Sequence, residues 1–161
     1  MVGNHWLKHR VVLCLALVLF GGCAGPVVQE PVPEPVQTNP EAAQGFAREG
    51  QVALEQGRRN AAVEAWQKAV ELDPGNAVIV NNLALLLKDQ HRFAEAAQLL
   101  ETGIARSPAV AELHFNLAVI AELYLLDLDT ALTHYNRYRA LTKEEDKLVT
   151  GWIADLERRL D

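Results

Sequence analysis

Cysteine is nearly missing from this chain: its 161 residues hold two, Cys14 and Cys23, both close to the N-terminus. No cysteine pair is left to staple the rest, and no free thiol nucleophile lies beyond residue 23. Serine occurs once, as Ser107 beside Pro108, where a turn role outweighs a catalytic one. Proline is scarce after residue 40, with Pro74 and Pro108 alone. That leaves long stretches open to helix. No apolar run reaches the roughly 20 residues that a membrane-spanning helix needs. Excess basic charge is also absent: 15 basic against 21 acidic residues give −6. An acidic chain repels phosphate backbones, so no nucleic-acid partner is expected. Acidity of this kind also serves solubility.

The first 40 residues differ in composition from the remainder. Lys8 and Arg10, with His5 and His9, precede the apolar run VVLCLALVLF at Val11 to Phe20. That run has the length of a signal-peptide core. It ends in LFGGC, which resembles the lipobox of bacterial lipoproteins, with small Gly21 and Gly22 before Cys23. Phe20 departs from the usual Leu. The resemblance implies a leader over 1–23 cleaved ahead of a lipidated Cys23. Loss of the leader would remove two basic residues and leave a net charge of 13 − 21 = −8. Ala24, not Asp, after the cysteine implies sorting to the periplasmic face of the outer membrane. Buried acyl methylenes at about 0.8 kcal/mol each would anchor the chain. Residues 24–40 hold Pro26, Pro31, Pro33, Pro35 and Pro40 and read as an extended spacer. At about 3.1 Å per residue it would reach up to ~50 Å.

Residues 41–161 are rich in Ala and Leu and carry an internal period of 34. Gly50, Ala84 and Ala118 form one small-residue series, and Ala62 and Ala96 another. Phe46, Val80 and His114 align, as do Trp66 with Leu100 and Ala69 with Gly103. Pro74 and Pro108 also stand 34 apart. Small residues let paired helices approach, bulky ones fill the spaces between, and each proline stops a helix. The pattern resembles the tetratricopeptide repeat (TPR) family. It implies an all-α fold, a right-handed superhelical array of helix-turn-helix pairs. Three repeats are expected, over 43–76, 77–110 and 111–143. The third is irregular: Ala131 and Tyr135 replace Thr130 and His134 as packing residues, which an inserted residue in the Leu125–Asp129 turn explains. Thr142 and Glu145 suggest a capping box opening a last helix over 144–160. Its apolar stripe comprises Leu148, Val149, Trp152, Ile153, Leu156 and Leu160 and caps the array.

No catalytic constellation is present, so neither enzymatic activity, a cofactor nor a small-molecule substrate is expected. His91, His114 and His134 lack close metal-ligand spacing, and no metal site is expected. His114 falls on a packing position, so a core role is its plainest reading. Glu144, Glu145 and Asp146 suit a helix N-terminus.

The family resemblance implies a concave groove lined by the first helix of each repeat. Its candidates are Gln44, Ala47, Gln51, Asn81, Asn82, Leu85, Lys88, Phe115, Asn116 and Val119. Helical spacing groups Asn81, Leu85 and Lys88 on one face and Phe115 with Val119 on another. Asn82 and Asn116 stand 34 apart; in some family members such asparagines hold a peptide backbone, although asparagine is also common at this point of the repeat. Arg48 and Lys88 have no basic counterpart between Ala111 and Leu123, which argues against a carboxylate clamp. The expected partner is a protein of the bacterial envelope, presented as a peptide or helix. The expected function is that of an adaptor or assembly factor: a pilotin, or an accessory of outer-membrane assembly or envelope transport. The alternative is a structural or self-associating lipoprotein with no client groove.

Overall fold

The computed structural model describes residues 38–144 and 146–161. The leader, the lipidation site at Cys23 and the spacer as far as Gln37 lie outside the described residues, as does Glu145. Among the described residues every regular element is helical: α1 (Pro40–Glu55), α2 (Arg59–Leu72), α3 (Ala77–Asp89), α4 (Phe93–Arg106), α5 (Ala111–Ile120), a π-helical turn (Ala121–Leu125), α6 (Leu128–Leu141) and α7 (Lys147–Leu160). This is the all-α repeat array expected from the period.

Pro40 opens α1 instead of closing the spacer. A proline at the first helical position loses an N–H that has no helical partner anyway. Asn39 caps it, its Oδ1 accepting from the Ala42 amide at 3.0 Å, and the Asn39 amide donates to the Leu72 carbonyl at 2.8 Å. The helices α2 and α4 end at Leu72 and Arg106, two residues short of Pro74 and Pro108.

The 34-residue series become the helix interfaces. Gly50, Ala84 and Ala118 are all buried, as are Ala62, Ala96 and Ala131. Trp66 is 3% exposed and lies flat on Gly50. A Cβ at Gly50 would sit 2.4 Å from the indole Cδ1, so only glycine admits the ring. The indole Nε1 donates to the Ala47 carbonyl at 3.0 Å, which satisfies the one polar atom of the buried ring. One core extends over the first two repeats and reaches Leu113, Leu117 and Ile120. Each fully buried aliphatic side chain there contributes about 1.5–3 kcal/mol.

The extra residue of the third repeat is visible in the backbone. Left-handed residues close the three hairpin turns at Gly57 (φ 72°), His91 (φ 61°) and Leu126 (φ 57°). They are spaced by 34 and then 35. The additional residue is taken up in the π-helical turn Ala121–Leu125, just before the Leu125–Asp129 segment where it was expected. The slip puts Ala131 and Tyr135 into the core, at 0% and 1% exposure, as the pattern required.

The expected capping box is not formed as drawn. Thr142 ends α6, with extended backbone, and its hydroxyl donates to the Arg139 carbonyl at 3.2 Å. Its side chain is therefore committed to the preceding helix. Asp146 caps α7 instead, one carboxylate oxygen accepting from the amides of Leu148 (3.0 Å) and Val149 (3.2 Å). The stripe of α7 buries Val149, Ile153 and Leu156, with Ala118, Ala121, Ala131 and Tyr135 in the same cluster. Leu148 stays 70% exposed.

Candidate functional site

The sequence candidates separate into three groups, with Lys88 apart from them. Gln51, Asn82 and Leu85 meet in a cleft of about 430 Å³ between α1 and α3, with Leu54, Leu86 and the edge of Trp66, and with Arg59 and Asp89 at its rim. Asn82 and Leu85 are half-buried and Gln51 is exposed. The Gln51 amide is turned along its own helix toward Glu55 Oε1 at 2.9 Å. Among the described residues the Asn82 side chain has no hydrogen-bond partner. Gln44 is exposed two turns away on α1, and half-buried Ala47 serves the Trp66 bond rather than the cleft.

A second group is closed on itself. The Asn116 amide donates to Asn81 Oδ1 at 2.6 Å, tying α5 to α3 across adjacent repeats. The two asparagines that meet are thus 35 apart, and Asn82 faces the neighbouring cleft.

The third group is half-buried among aromatic rings. Phe115, a groove candidate, lies 5.1 Å from Tyr138, 6.2 Å from Tyr135 and 6.3 Å from Trp152, ring centre to ring centre. Val119 packs in the same cluster. Phe115 and Val119 are both half-buried and pack against the cluster that α6 and α7 share. Two hydrogen bonds support that seam: Tyr135 to Glu122 Oε2 at 3.1 Å, and Arg159 to Glu122 Oε1 at 3.4 Å. Burial and the adjacent Glu122 carboxylate push the Tyr135 phenol well above its ordinary pKa.

Lys88 belongs to the edge of the array. It lies 3.4 Å from Asp89 and lines a shallower cleft of about 330 Å³ with Arg59, His91, Phe93 and Tyr124. Phe93 stacks on Tyr124 at 4.2 Å with planes 16° apart. Next to it Leu123, Leu125 and Leu126 are 61%, 40% and 75% exposed. Sequence reasoning passed over Leu54, Arg59 and the Phe93–Tyr124 stack. Leu54 was within reach, three residues after Gln51 on one helix face. Phe93 and Tyr124 meet only because of the π-turn, which has no sequence signature.

One further pair was missed. His114, 4% exposed, places Nδ1 2.8 Å from Nδ1 of half-buried His134, with the rings nearly parallel. His114 Nε2 lies 3.2 Å from the Pro108 carbonyl. Burial lowers the pKa of both rings, and Arg137 acts in the same direction on His114. Among the described residues no cluster of three or more His, Cys, Asp or Glu is placed to hold a metal ion.

Residues 53–123 match the sequence model of the tetratricopeptide repeat. Over 77 residues, 48% of this chain, the sequence is 30% identical to tetratricopeptide repeat protein 33 of Xenopus laevis. The match spans 30% of that protein's length. Among solved structures, the first TPR of Spaghetti (RPAP3), bound to an HSP90 peptide, is similar with a TM-score of 0.67 at 19% identity, over 78% of this chain and 98% of that one. The N-terminal domain of stress-induced protein-1 from C. elegans has a TM-score of 0.64 at 24% identity, over 72% and 94% of the two chains. At these identities the likeness speaks to the fold. Together with the 34-residue period, the matches support the tetratricopeptide repeat family.

Proposed function

We propose that this tetratricopeptide-type array is a protein-binding adaptor of the bacterial envelope, and that a client peptide or helix lies along the cleft between α1 and α3. The carrying observation is the cleft itself. It offers half-buried Leu85 as an apolar seat and the unpartnered Asn82 amide beside it, in a fold whose solved neighbours include one bound to a peptide. An amide that donates and accepts suits the main chain of a ligand without reading its sequence. The apolar seat supplies affinity. Phe115 and Val119 take no part in this reading, and Asn81 and Asn116 take part only if their mutual bond opens.

The leader supports the anchored half of the proposal. The order of basic residues, short apolar run and LFGGC motif supports acylation of Cys23 and attachment to the periplasmic face of the outer membrane. Co-purification from detergent-solubilised envelopes tests the binding half. Asn82→Ala with Leu85→Ala is expected to lose client while circular dichroism stays that of the parent. A folded double variant retaining every partner would overturn it. Palmitate labelling of Cys23→Ser tests the anchor, and unchanged labelling would remove it.

A second reading rests on the exposed Leu123, Leu125 and Leu126 beside the Phe93–Tyr124 stack. An apolar patch of this kind suits self-association. Sedimentation of the parent and of Leu126→Asp separates this reading from a monomeric adaptor.

A further inference from the structure

The His114–His134 contact occupies positions that the other repeats keep apolar. His114 aligns with Phe46 and Val80; with the inserted residue counted, His134 aligns with Leu99 and, one repeat earlier, Ala65. Two imidazoles at those positions gain nothing in packing over Val and Leu, and they bring a proton arrangement that two charged rings cannot satisfy.

That arrangement follows from the partners. The Pro108 carbonyl only accepts, so His114 Nε2 carries a proton and, in the neutral ring, Nδ1 is a bare lone pair. His134 Nδ1, 2.8 Å away, must then carry the proton that it donates to His114. One added proton can sit on His134 Nε2 and leave this bond intact. A second has only His114 Nδ1 to occupy, where it would face the N–H of His134 and set two positive rings in contact.

The Pro108 carbonyl favours the charged form of His114, but burial outweighs it. From α6 the charged neighbour is Arg137, which opposes protonation of His114. Tyr138, also on α6, bonds Asp146 at 3.4 Å. On α5, Glu112 is exposed and acts on Tyr138. The turn before α5 supplies the Pro108 carbonyl, and α4 ends in exposed Arg106. Among the described residues no carboxylate is bonded to either ring.

We propose that this pair is an acid-released clasp between α5 and α6, which loosens the third repeat and its capping helix as pH falls while the first two repeats stay folded. The sign follows from linkage. Both folded-state pKa values lie below the ordinary histidine value of about 6.5. The unfolded segment therefore binds more protons just below that pH, so the pair's contribution is complete above about 6.5 and is lost as pH falls. Local release is possible because each repeat of a solenoid rests on its neighbours alone. Tyr135, Tyr138 and Phe115 carry the loosening to Trp152 on α7, since Phe115 meets the other three rings and Tyr135 also meets Trp152.

Hydrogen exchange on the full chain in detergent, at pH about 7.5 and about 5 and corrected for intrinsic rates, reads the effect. The expected result is opening of α5–α7 that rises about tenfold at the lower pH, with α1–α3 unchanged. His114→Val with His134→Leu, copying Val80 and Leu99 of the second repeat, is expected to abolish the response. If that variant does not fold, His134→Gln keeps a neutral donor to His114 and is expected to shrink the response. Imidazole nitrogen NMR of the unaltered chain reads the protons directly, with His114 on Nε2 and His134 on Nδ1. Opening that is equal in all repeats, absent at the lower pH, or unchanged in the variants would overturn the clasp, as would the opposite tautomers.

Discussion

The second and third repeats have the same architecture and hold together differently. From α3 to α4 the contact is apolar throughout: Val80, Leu83, Leu87, Ala96 and Leu100 are buried in one cluster. From α5 to α6 and α7 a smaller apolar cluster is joined by rings and hydrogen bonds, with His114 on His134, Tyr135 on Glu122, Tyr138 on Asp146 and Arg159 on Glu122. Apolar packing is non-directional and tolerates approximate fit, whereas a buried polar seam costs the full desolvation of any group left unpaired. The regular half therefore answers to volume, and the irregular half to proton count and donor geometry.

The largest effect should come from removing volume in the regular half. Trp66→Ala empties the site between α1 and α2 and leaves Gly50 facing a void, an expected loss of about 3–5 kcal/mol. That is a large share of the stability of a small domain. Urea denaturation measures it, and a loss under about 1 kcal/mol would show that the first repeat does not rest on this ring.

The irregular half should answer to a single oxygen. Tyr135→Phe keeps the ring in place and strips the donor from Glu122 Oε2, while Arg159 still holds Oε1. An expected cost of about 1–3 kcal/mol reflects a carboxylate left short of a partner. Glu122→Gln with Tyr135→Phe is expected to recover part of it, because the amide is cheaper to bury than the charge. If Tyr135→Phe is neutral by urea denaturation, the seam is held by ring contacts alone.

The same contrast explains what could be read from the sequence. Small residues recurring at 34 gave the helix pairs, their interfaces and the slip that brings Tyr135 inside, because volume is written one residue at a time. The seam was not legible, because Phe115 meets Trp152 and His114 meets His134 only after α7 docks and the π-turn shifts α6. A π-turn is a change of hydrogen-bond spacing and needs no special residue type. The capping box at Thr142 failed for a related reason: pattern alone cannot tell which of two adjacent helices a threonine hydroxyl serves. Of the candidate groove, the Gln51–Asn82–Leu85 portion forms one surface; the family resemblance implied those residues, whereas helical spacing had grouped Leu85 with Asn81 and Lys88. Phe115 carried the right periodicity as well and packs instead against Tyr135, Tyr138 and Trp152, on helices whose positions the period does not set.

In the cleft, Leu85→Ala removes a half-buried side chain, so stability should fall by about 1–2 kcal/mol, less than a fully buried Leu→Ala change. Binding of a client should fall by at least about 1 kcal/mol. Calorimetric titration with a captured partner, alongside urea denaturation, resolves the two. A stability loss as large as that of Trp66→Ala would make Leu85 core and not seat.

The smallest effects lie in the turns, where the repeats can be compared at matched positions. Gly57, His91 and Leu126 all adopt left-handed backbone, and only the first is suited to it. An L-residue with a Cβ pays about 1–2 kcal/mol there. Glycine would remove that strain but also loosens the unfolded chain by about 0.5–1 kcal/mol. Leu126 is 75% exposed, so its side chain contributes little packing to set against the gain. Leu126→Gly is therefore expected to stabilise by about 0.5–1 kcal/mol. His91 sits edge-on to Phe93 at 5.7 Å, and that contact is forfeited in His91→Gly. Its net gain should be about half as large or nil. Urea denaturation of the two variants in parallel checks the order. A larger gain at position 91 would mean that the regular turn, and not the one displaced by the π-helical segment, carries the greater backbone strain.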